Sequence, residues 1–136
     1  MDRLRFGAVD SSDSQQNVVL VVESDIRVRM AVAAYLRECG YVVLEASNTD
    51  EALGVLQSDH RVDVAFIDAQ ATGKLDGFGL ARWIRTNASA KIVLTSGVHR
   101  TAEDAGDLCE DGPTLVKPYD HQNLERHIRR LLAAGQ

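Results

Sequence analysis

The residues best suited to chemistry in this sequence stand directly after short apolar runs. Glu23, Ser24 and Asp25 follow Val18 to Val22, Asp68 follows Val62 to Ile67, Thr95 and Ser96 follow Ile92 to Leu94, and Lys117 and Pro118 follow Thr114 to Val116. Crowded carboxylates are costly, since two of them ~4 Å apart repel by about 4 kcal/mol at an effective dielectric of about 20. Such a cluster calls for a hard cation, and oxygen ligands of this kind suit Mg²⁺ with several waters retained. A carboxylate nucleophile, a cation site, a lysine and a hydroxyl are together the parts for phosphoryl transfer onto Asp68. Catalysis there is mostly positioning and charge neutralisation.

These side chains can meet only if the runs before them lie side by side. Between the runs the hydrophobic period changes to that of a helix. Val28, Val32, Tyr35, Leu36 and Cys39 form one stripe, which Gly40 stops. After a short strand at Val42 to Leu44, Ser47, Asn48 and Thr49 offer an N-cap, and Asn48 with Glu51 has capping-box spacing ahead of Ala52, Val55 and Leu56. A loop holding Gly73 and Gly77 leads into a helix with Leu80, Trp83, Ile84 and Asn87. Thr101 to Cys109 reads as a weak helix because Gly106 interrupts it, whereas Leu124, Ile128, Leu131 and Leu132 mark a firm closing helix. Five strands alternating with five helices predict an α/β fold with a parallel sheet. In such sheets ligands bind beyond the carboxyl ends of the strands, where all the chemical residues stand.

The chain of 136 residues is sized for one domain, with residues 1–16 read as a disordered polar tail and 17–136 as the folded unit. A net charge of −5 argues against a nucleic-acid or anionic-membrane surface, and no apolar run approaches the length of a membrane span. The amino-terminal segment has no apolar core of a secretory signal, so a cytoplasmic location is expected. Cys39 and Cys109 have no metal-site spacing and are read as two small buried hydrophobes kept as thiols, in preference to a disulfide.

The sequence also resembles the receiver domains of two-component response regulators, over about residues 17 to 133. The resemblance is carried by Val19-Leu20-Val21-Val22-Glu23-Ser24-Asp25, by Asp63-Val64-Ala65-Phe66-Ile67-Asp68, and by Asp76-Gly77-Phe78. Ile92-Val93-Leu94-Thr95-Ser96 and Leu115-Val116-Lys117-Pro118-Tyr119 complete it. Any one of these motifs is weak, but five in order at strand ends are specific. The resemblance implies a flavodoxin-like (βα)5 doubly wound sheet of strand order 2-1-3-4-5. It implies that Asp68 accepts phosphate from a histidine kinase or histidine phosphotransferase, that Lys117 contacts the phosphoryl group, and that Thr95 swings toward it. Mg²⁺ would be held by Glu23, Asp68 and the Gln70 backbone carbonyl, and the Lys117-Pro118 bond would be cis. With no output domain after the closing helix, the expectation is a single-domain, non-enzymatic signalling protein. It would act through contacts with a downstream protein, as a monomer or weak homodimer.

Three positions depart from the family pattern. Ser24 stands where a second carboxylate is usual, which weakens Mg²⁺ binding unless Asp25 turns inward to compensate. Thr72 replaces a common proline and should loosen the loop that carries Gln70, and Thr114 stands where an aromatic switch residue is usual. Switching must then use another route, with the weak fourth helix as the alternative. These changes motivate a second reading, a degenerate receiver that binds partners without phosphate. An aspartate-nucleophile phosphatase is disfavoured because Asp68-Ala69-Gln70 lacks the second acid two residues on.

Overall fold

The computed structural model describes residues 17–110. Eight elements alternate along them: β1 (Val18–Val22), α1 (Ile26–Glu38), β2 (Val42–Ala46), α2 (Thr49–Leu56), β3 (Val64–Asp68), α3 (Gly77–Asn87), β4 (Lys91–Thr95) and α4 (Gly97–Glu110). The four strands pair in the order β2-β1-β3-β4, all parallel, as expected for the first four strands of a 2-1-3-4-5 sheet. The expected tail at 1–16, the fifth strand, Thr114, Lys117, Pro118, Tyr119 and the closing helix lie outside the described residues.

Strand period decides which side chain goes to which face. Val19, Val21, Val64 and Phe66 point to one side and pack under α1 and α4, with Val28, Val32, Leu36, Ala105 and Leu108. Leu20, Val22, Ala65 and Ile67 point to the other and pack under α2 and α3, with Ala52, Leu80 and Ile84. Both faces are covered, which is why β1 and β3 are apolar without alternation. Side chains of this size each contribute about 1.5–3 kcal/mol on full burial.

Local signals set the helix ends. The Asp25 side chain accepts from Arg27 N to cap α1, Asn48 accepts from Glu51 N to cap α2, and Asp76 accepts from Gly79 N to cap α3. Glu51 reaches back to the Ser47 N–H at 2.7 Å, one residue beyond the reciprocal partner of an ordinary capping box. Gly40 follows α1 with a φ of 97°, the left-handed turn that favours glycine.

Two expectations are corrected. The fourth helix is not cut short by Gly106: it runs 14 residues, with Gly106 buried inside it. A glycine costs about 1 kcal/mol in a helix, and the buried stripe of Ala102, Ala105, Leu108 and Cys109 outweighs that. The cysteines are not separate thiols. The ends of α1 and α4 lie together on one face, and Cys39 and Cys109 form a disulfide with a Cα–Cα distance of 5.7 Å. Beside it the Tyr41 hydroxyl donates to the Leu108 carbonyl at 2.7 Å, so α4 is fastened to the neighbourhood of α1 twice.

Candidate functional site

Four strands ending at one edge bring Glu23, Asp68 and Thr95 together. β1 and β3 are neighbours, with Val22 level with Ile67, so the residues that follow them emerge side by side. Asp68 and Thr95 are register partners in the β3–β4 pair. Alternation puts all three on the α1/α4 side of the edge, continuing the rows of Val21, Phe66 and Val93.

Burial pushes the Glu23 carboxyl from its ordinary 4.5 up to about 7. A hydrogen bond from the Asp25 N–H, 2.9 Å long, opposes that rise, and the negative charges of Asp68 and Asp25 add to it. Two carboxyl groups thus stand side by side at the sheet edge, and the fold favours a proton on Glu23. The chemistry of that donor set fits a divalent cation, which would take the place of the proton. Among the described residues no group of three His, Cys, Asp or Glu side chains forms a complete cation site. Two carboxylates and backbone oxygen are what the sheet edge offers.

The sign of the Glu23 shift predicts a pH dependence in metal-free protein. Protonated Glu23 is favoured by the fold, so its stabilising contribution is full below the unfolded value of 4.5. It is lost as pH rises through about 7. Thermal melts in a chelator should show stability falling across that window, and Glu23→Gln should flatten the fall.

Asp25 and Ser24 stand at the same edge in different roles. Asp25 Oδ1 accepts from Arg27 N at 2.9 Å and lies 3.6 Å from the Arg27 guanidinium. Slight burial works to raise its carboxyl, but these bonds prevail and hold it below the usual range. Ser24 is exposed. Gln70 N donates to Asp68 Oδ1 at 3.1 Å, folding the loop back over the carboxylate and leaving Gln70 exposed.

Thr49 anchors that loop at Thr72 and Leu75. Thr49 is fully buried at the start of α2. Its N–H donates to the Thr72 carbonyl at 2.8 Å, and its hydroxyl donates to the Leu75 carbonyl at 2.6 Å. Gly73 passes so close, at a φ of +145°, that any Cβ would strike the Thr49 hydroxyl. Gly77, at the start of α3, lies against the site from below. A Cβ there would come within 2.5 Å of the Asp68 carbonyl and 2.8 Å of the Ala69 carbonyl, both backbone atoms. Gly77→Ala should therefore destabilise by about 1–3 kcal/mol, read in denaturant melts, and displace the loop that bears Gln70.

Sequence reasoning missed Thr49, which looked like one of several capping residues. It also missed Arg29, whose guanidinium donates to the Glu23 carbonyl at 2.9 Å and pairs with Glu45 at 3.2 Å. The signal for Arg29 was Glu45, a charge within an otherwise apolar strand. A third omission is Thr101 on α4, whose hydroxyl lies 3.1 Å from that of Thr95, both being buried.

Comparison with known proteins bears on the family and the fold. The sequence profile of the response regulator receiver domain matches residues 19–129. The probable transcriptional regulator ycf27 of Cyanophora paradoxa is 31% identical over 116 residues, covering 84% of this chain and 47% of the relative. The transcriptional regulatory protein AruR of Pseudomonas aeruginosa is 30% identical over 119 residues, covering 84% and 48%. The chain thus spans about half the length of these curated relatives. Among solved structures, the Francisella response regulator 1452 receiver domain aligns with a TM-score of 0.56 at 23% identity, covering 89% of this chain and all of that one. The signal receiver domain of a modulated diguanylate cyclase from Desulfovibrio desulfuricans G20 aligns at 0.56 with 24% identity, covering 88% and 96%. These two likenesses speak for the fold.

Proposed function

This chain belongs to the response-regulator receiver-domain family, and on that premise we propose that it is a phosphoacceptor switch built on Asp68. The supporting observation is the juxtaposition of Glu23 and Asp68 at adjacent strand ends, with Thr95 in register beside Asp68. An Asp68 carboxylate oxygen attacks the phosphorus of a phosphohistidine on a kinase or phosphotransferase. The P–N bond breaks, its electron pair returns to the imidazole, and an Asp68 O–P bond forms. Glu23 and Asp68, with the Gln70 carbonyl, are the proposed Mg²⁺ ligands. When bound, Mg²⁺ offsets the charge gathering on the phosphoryl oxygens. Asp25 can join them only by giving up its cap on α1, a loss of about 1 kcal/mol. Thr95 supplies a hydroxyl to a phosphoryl oxygen, and Lys117 supplies a positive charge.

The chain is proposed to signal by protein contacts, as a monomer or weak homodimer, without turning over a small molecule. Nucleic acid and membrane are not proposed as partners. Among the described residues no helix is long and apolar enough to cross a membrane. The transcriptional role in the relatives' names is not carried over to a chain that matches half their length. The proposed location is the cytoplasm, where the Cys39–Cys109 pair would have to persist against reducing conditions.

A second reading, a receiver that binds partners without phosphate, is favoured by Ser24, which leaves the cation one carboxylate short. Titration with beryllium fluoride, a phosphoryl mimic, separates the two. Binding that requires Mg²⁺ and is lost in Asp68→Asn supports the switch. No binding in the parent chain favours the phosphate-independent module.

A further inference from the structure

Thr95 does not face open solvent: it is 3% exposed, and its hydroxyl lies 3.1 Å from that of Thr101, itself 4% exposed. A hydroxyl has one proton to give. That of Thr101 goes to the Gly97 carbonyl at 2.7 Å, so Thr95 is the donor between the two threonines. The Asp104 carboxyl, one turn further along α4, is raised by burial, which the Arg100 charge and the Thr95 hydroxyl oppose. The Thr95 proton is therefore spent on α4.

A buried hydroxyl that leaves its partner must find another, so the Thr95 proton goes either to α4 or to an acceptor above Asp68, not to both. Thr95 can turn to an oxygen above Asp68 only by leaving Thr101. A void of about 10 Å³ is bordered by Asp68, Thr95 and Thr101.

We propose that Thr101 is a positioning residue for Thr95. It holds the Thr95 hydroxyl on α4 in the unphosphorylated chain, and phosphorylation of Asp68 draws that hydroxyl away and loosens α4 at the sheet edge. This rests on the reading of Asp68 as phosphoacceptor. It gives the chain a route from phosphate to helix that needs no aromatic ring, where position 114 is threonine.

The test is beryllium fluoride binding with Mg²⁺ by the full chain and by Thr101→Val, Thr101→Ser, Thr95→Val and the Thr95→Val/Thr101→Val pair. Thr101→Val should bind about fivefold more tightly, the equilibrium worth of one ordinary hydrogen bond. Thr101→Ser should restore parent affinity, and Thr101→Val should change nothing once Thr95 is Val. A structural role for Thr101 would lower the melting temperature without this dependence on Thr95. Parent-like or weaker binding by folded Thr101→Val, or the same gain in the Thr95→Val background, overturns the proposal while leaving the phosphoacceptor reading intact. Failure of the parent chain to bind removes that reading and this one with it. Should Thr101→Val not fold, amide exchange of the parent decides. Residues 97–110 should exchange faster on loading, and unchanged protection overturns the proposal.

Discussion

Reduction of the Cys39–Cys109 disulfide is expected to lower the stability of the folded chain by about 4 kcal/mol, and its melting temperature by on the order of 15 °C. The bond joins residues separated by 70 positions, so it removes a large share of the freedom of the unfolded chain. It also ties the last turn of α4 to the end of α1, the face on which Ala102, Ala105 and Leu108 meet Val28, Val32 and Leu36. The two sulfur-bearing residues are nearly inaccessible, at 1% and 4% exposure, so a reductant acts through transient opening of α4. Thermal melts with and without dithiothreitol measure the effect, and a Cys39→Ala/Cys109→Ala chain should melt at the same temperature in both. If the parent chain melts identically in both, the two cysteines are not bonded in solution.

Restoring an acid at position 24 should raise Mg²⁺ affinity by at least about tenfold. Ser24→Asp adds a carboxylate to an edge that holds Glu23 and Asp68, and each added charge near a cation is worth on the order of 1–4 kcal/mol at intermediate dielectric. The same charge is unwelcome without metal, because Glu23 is already raised to about 7 by burial and by its acidic neighbours. The variant should therefore be less stable than the parent in chelator and gain more from Mg²⁺. Calorimetric titration of both chains reads the affinities. If Ser24→Asp binds Mg²⁺ no better, residue 24 faces away from the cation and the position has been misassigned.

The fold was legible where local rules act alone. The uninterrupted apolar runs in β1 and β3 announced strands covered on both sides, and Asn48 announced the start of α2 through its own side chain. Placing Glu23, Asp68 and Thr95 at one edge followed from strand ends alone. What the sequence hid depends on partners far along the chain. Nothing local in Thr101 to Cys109 says which face of the sheet α4 covers, and its small buried residues gave too faint a stripe to offset Gly106. Cys39 and Cys109 looked unrelated because only that packing choice brings them together. Thr49 resembled a capping residue, while its hydroxyl serves a loop 26 positions away. Arg29 resembled a wet helix residue until β2 placed Glu45 beside it.

The central claim is that Asp68 accepts a phosphoryl group with help from Mg²⁺, and intact mass tests it most directly. The full chain would be incubated with phosphoramidate, with and without Mg²⁺, alongside Asp68→Asn. The account predicts one phosphoryl adduct on the parent chain in Mg²⁺, little or none in chelator, and none on the variant. A parent chain left unmodified where an ordinary receiver is labelled, or an adduct that persists in Asp68→Asn, would contradict it.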